Sequence, residues 1–208
     1  LEQRLASDPK FFSQIIRLVF LSDKERELPA EPSAEQQKIA CHAYELLFKW
    51  KTPPGTLSDG SFDPKAFKTW LREVERECKK TGHLELALDQ VGQILFHAPP
   101  DPSGLWIDKS VAEELNAPEA GELRSGLMLG YLNSRGFHIE DPTGQPEKDL
   151  AEKYRRMASE VEEAGYHRLA VTMRDLAKRY DREADKIISE NQSRQDSSEP
   201  DADAEEQE

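Results

Sequence analysis

Proline lacks the backbone N–H that a helix interior needs and clashes with the preceding turn, so its placement marks where helices stop and start. All thirteen prolines of this chain fall in joints between apolar segments or in the polar C-terminal stretch, and none interrupts a run with helical spacing. Asp8-Pro9-Lys10 and Asp63-Pro64-Lys65 each place an N-cap acceptor before a proline pre-shaped for the first helical position. The chain is therefore parsed into helices. The spacing predicts an all-α fold of about seven or eight helices packed as antiparallel helical hairpins.

The first expected helix runs from Pro9 to Leu21, and its apolar residues cover more than one face, so it needs burial on several sides. Ser33 with Gln36 makes a capping box, and Ile39, Ala43, Leu46, Leu47 and Trp50 then repeat at helical spacing until Thr52-Pro53-Pro54-Gly55. Pro64 to Lys80 and Leu84 to Phe96 read as an antiparallel pair joined at Gly82. A turn at 101–104 and a short extended piece, Leu105-Trp106-Ile107, lead to a helix from Lys109 to Asn116. Pro118 opens a helix to Ser134 that carries few charges and looks the most buried of all. Helices from Pro146 and from Tyr166 to about Ser189 form a second hairpin around Gly165. Thr81-Gly82-His83-Leu84 and Ala164-Gly165-Tyr166-His167 echo one another as connectors, which suggests stacked hairpins.

The expected organisation is an N-terminal apolar helix at 1–21 that could dock on a preceding domain, a charged linker at 22–32, a helical domain at 33–190 and a disordered acidic tail at 191–208. The chain is 208 residues long, one third of them charged, with net charge −13, of which the tail supplies six. That balance disfavours sequence-independent binding to nucleic-acid phosphates or anionic membranes. No signal peptide or spanning run is expected, and Cys41 and Cys78, on apolar helical faces without metal spacing, read as two buried thiols of a reducing cytoplasm.

The best candidate chemistry joins two loops, His97 to Gly104 and His138 to Gly144, each with a His three or four residues before an Asp-Pro turn. If His97, Asp101, His138 and Asp141 converge, they could bind a divalent metal and activate water, as in a metal-dependent hydrolase. Turn geometry alone also explains both Asp residues, because Asp is favoured at the first position of a type I turn with Pro second and Gly fourth. Trp106, in a loop, and Arg135, the single charge in its apolar window, are the candidate binding residues; contact with helix-end carbonyls is the structural alternative for Arg135. Gly126 and Gly130, with Gly121 a turn earlier and Gly92 in another helix, predict close helix crossing rather than a ligand against the backbone. No cofactor motif is present.

Ile16-Arg17-Leu18-Val19-Phe20, Trp50-Lys51-Thr52-Pro53-Pro54-Gly55, the stretch from Ala98 to Asp101 and on to Ile107, and Asn133-Ser134-Arg135-Gly136 resemble segments near the C-terminal end of large uncharacterised bacterial proteins. The resemblance implies a C-terminal piece of a longer polypeptide and carries no activity. The expected function is a helical protein-interaction or scaffold module of a larger cytoplasmic protein, not an enzyme, with a protein or the preceding domains as partner. The hydrolase-like site is one alternative. An accessory domain of a nucleic-acid-processing machine, which would need a basic face, is the other.

Overall fold

The computed structural model describes residues 1–22, 32–136 and 141–196. The expected linker between 23 and 31, His138 and the tail beyond 196 lie outside the described residues. Nine helices fill the described residues: α1 (Glu2–Ser7), α2 (Pro9–Val19), α3 (Ala34–Lys49), α4 (Pro64–Thr81), α5 (Leu84–Leu95), α6 (Lys109–Asn116), α7 (Gly121–Ser134), α8 (Gln145–Glu163) and α9 (His167–Asp196). The fold is all-α; the expected extended piece at 105–107 is a loop whose Leu105 and Ile107 enter the core.

The caps form as the sequence dictates. Asp8 accepts from the Phe11 amide, Asp63 from those of Lys65 and Ala66, and Ser33 and Gln36 bond reciprocally. The two connectors that echo in sequence share one geometry. Gly82 and Gly165 take positive φ, and the residue after each donates its amide to a carbonyl five positions back, His83 to Cys78 and Tyr166 to Val161. Each closes a hairpin, α4 with α5 and α8 with α9.

Helices α8 and α9 are the most extensively packed pair. They run antiparallel, with Gly144 against Ala184, Tyr154 stacked on Tyr180 and Glu162 paired with Arg174. The expected tail boundary moves here: residues 191–196 continue α9.

Helices α5 and α7 form the second tight pair, and they run in the same direction, since Gly126 meets Asp89 and Gly130 meets Gln93. The crossover through α6 permits this parallel pairing. Three glycines make the close approach: a Cβ on Gly92 would lie 2.2 Å from the Leu123 carbonyl oxygen, one on Gly130 would lie 2.6 Å from that of Gln93, and Gly126 is equally tight. Gly121 has nothing near its Cβ position and takes no part. Nor is α7 buried all round: Leu123, Leu127 and Tyr131 face inward while Ser125 and Leu129 are exposed, because one side of the helix meets α5 and the other meets solvent.

Helix α2 packs on α3, α4 and α5, inserting Phe12 between Trp50 and Trp70 at centroid distances of 5.3 and 5.1 Å. Both tryptophans are core residues, as their spacing predicts. Trp70 donates through Nε1 to the Leu5 carbonyl, which ties down α1, an element without a sequence signal of its own. Cys78 is buried and Cys41 is exposed, both free thiols. Cys41 escapes burial because α3 rests chiefly on α2, and only Ala43 and Leu47 of the helix are buried.

Candidate functional site

Asp101 and Asp141 are turn carboxylates. Asp101 accepts from the Ser103 amide at 2.8 Å and the Lys109 amide at 3.3 Å, with the Lys109 ammonium at 3.6 Å. The Ser103 hydroxyl and amide, then Lys109, hold its carboxyl down at about 2. Asp141 accepts from the Thr143 amide and hydroxyl, and those bonds lower its pKa too. Both side chains do the work of an Asx turn. His97 lines a groove beside Trp50 that neither Asp101 nor Asp141 lines, and His138 lies outside the described residues. Among the described residues no three His, Cys, Asp or Glu side chains stand close enough to hold a metal ion.

Trp106 is half-buried, donates through Nε1 to the Met157 carbonyl at 3.0 Å and packs edge-on against Tyr131. Its indole pins the 105–107 loop to α8, so it is not the free surface aromatic that its loop position suggests. Arg135 likewise has a structural partner, and among the described residues it is a carboxylate. Its guanidinium pairs with fully buried Glu147, lies 3.8 Å from Glu183 and sits over the Tyr180 ring at 5.8 Å. Arg135 thus joins the end of α7 to the first turn of α8 and the middle of α9. Other basic side chains are engaged at the surface: Lys80 with Glu77, Arg155 with Asp181 and Arg156 with Glu152.

An exposed aromatic pair lies along α3. Tyr44 and Phe48, one turn apart, are 56% and 77% exposed and stack with ring centroids 6.4 Å apart. They border a groove of ≈ 490 Å³ between the C-terminal half of α3, the end of α5 and the end of α7. Trp50, Phe96 and Gly130 contribute apolar surface, while Lys51, His97, Gln90 and Asn133 supply polar groups. The indole Nε1 of Trp50 is buried and has no acceptor among the described residues. Desolvation against the groove wall, with the Lys51 charge nearby, lowers the His97 pKa and favours the neutral imidazole. The arrangement can accept an apolar side chain and offer N–H donors to an oxygen beside it.

Sequence reasoning missed Tyr44 and Phe48 because the apolar stripe from Ile39 to Trp50 accounts for the helix by itself, although the structure leaves Ile39 exposed. The signal was present: an aromatic i,i+4 pair on α3 off that stripe, where a solvated face calls for polar residues.

No protein-family model, no curated protein and no solved structure matches this chain. Among the described residues, no helix is long and apolar enough to cross a membrane.

Proposed function

We propose that this chain is a helical protein-interaction module that docks a protein partner on the outer face of α3, and that it works in the bacterial cytoplasm. The observation that carries the reading is the stacked Tyr44–Phe48 pair, the two exposed aromatic rings packed on one another in solvent. Large aromatics are expensive to leave in water and are the side chains that anchor interfaces. Helix α3, held chiefly by α2, presents them without using them in its own fold. The two free thiols, one of them exposed, suit a reducing compartment.

A photo-crosslinking residue at position 48 tests this in a bacterial host carrying the native gene. A discrete adduct is expected at 48, absent when the crosslinker is moved to exposed position 160 on α8. Equal labelling at both positions contradicts the reading.

A further inference from the structure

The α3 groove differs in charge from the rest of the molecule. The chain carries 41 acidic residues against 28 Lys and Arg, yet among the described residues no carboxylate lines the groove. Lys51 stands exposed at its edge with no carboxylate partner among the described residues. His97 faces it from the end of α5, and the amide side chains of Gln90 and Asn133 contribute neutral donors. Trp50 is 2% exposed and lines the same groove.

Resting on the partner-docking reading above, we propose that the groove takes an acidic peptide segment of the partner. An aromatic or leucine side chain seats between Phe48 and Phe96, and a neighbouring Asp or Glu pairs with Lys51. A segment of chain fits better than a small metabolite because the groove runs out onto the exposed Tyr44–Phe48 stripe, so contact continues beyond the cavity. The net charge of the chain repels anions in general, so a preference for acidic peptides reports this patch and not the surface at large.

Panning a random dodecapeptide display library on the full chain, followed by anisotropy titrations with the most enriched peptide, tests the proposal. Enriched sequences are expected to carry Phe, Trp or Leu with Asp or Glu within a few positions. Lys51→Glu and Phe48→Ala, both at exposed sites that leave the fold intact, are expected to weaken binding at least about tenfold. Lys178→Glu on α9 leaves it unchanged. Binders without acidic residues, or affinities unmoved by Lys51→Glu and Phe48→Ala, overturn the inference while leaving a partner-docking module possible elsewhere on the surface. A library that yields no binder also overturns it, and the crosslink at position 48 then decides the broader reading separately.

Discussion

A Cβ built on Gly126 would lie 2.0 Å from the carbonyl oxygen of Asp89, a separation that no side-chain carbon tolerates. The two backbones touch there, and the parallel pairing of α5 and α7 depends on it. Gly126→Val should destabilise the fold by about 3 kcal/mol through forced separation of the helices. Gly121→Ala, with nothing within 4 Å of the added carbon, should be neutral. Urea denaturation of both variants compares them. Equal stabilities would show that the helices can move apart freely.

Arg135 and Glu147 make the buried ion pair that joins α7 to α8. Breaking such a pair from one side strands a charge in the interior. Arg135→Met should cost about 3 kcal/mol, and adding Glu147→Gln should recover part of that loss. Thermal melts of the single and double variants measure the coupling; additive losses would mean the two side chains act independently.

The packed rings of Tyr131, Tyr154 and Tyr180 should weaken the fold at alkaline pH. Burial raises the pKa of all three, Tyr154 to about 12. Below pH 10 the phenols are protonated in folded and unfolded chains alike, so they add no pH dependence. As pH rises past 10 the unfolded chain ionises first, and stability falls. Tyr154 alone removes on the order of 2 kcal/mol by pH 12. Absorbance of tyrosinate followed against pH should show ionisation of these residues coinciding with unfolding. Ionisation near pH 10 in the intact fold would contradict it.

Cys41 and Cys78 should separate by reactivity. Cys78 is fully buried, its thiol pKa raised by desolvation, with Sγ 3.4 Å from the Ser13 hydroxyl. A thiol reagent should modify one cysteine, Cys41, in the native chain and the second only on unfolding. Rapid modification of both would mean that α2 and α4 part readily in solution.

Most of the helices were legible because their ends are written locally. Asp8-Pro9, Asp63-Pro64, Ser33 with Gln36, and Gly82 and Gly165 each act within a few residues of themselves. The glycines of α5 and α7 announced a close crossing, but not its partner or its direction, since Asp89 and Gly126 meet only across the intervening crossover. Arg135 was conspicuous in sequence, while Glu147 and Glu183 were not, because nothing local couples an arginine to carboxylates on two other helices. α1 is fixed by a bond from Trp70, 65 residues away. The α3 groove combines Trp50, Phe96, His97 and Asn133 from three helices, so the sequence displayed its residues without displaying their proximity.

The three tryptophans provide the most direct measurement of the central claim. Trp70 Nε1 is bonded to Leu5 and Trp106 Nε1 to Met157, whereas Trp50 lines the groove and its Nε1 has no acceptor among the described residues. Titrating the ¹⁵N-labelled chain with an acidic, aromatic peptide selected on it should shift the Trp50 indole N–H resonance and leave those of Trp70 and Trp106 in place. A bound peptide that moves either of the others while Trp50 stays still would contradict the account.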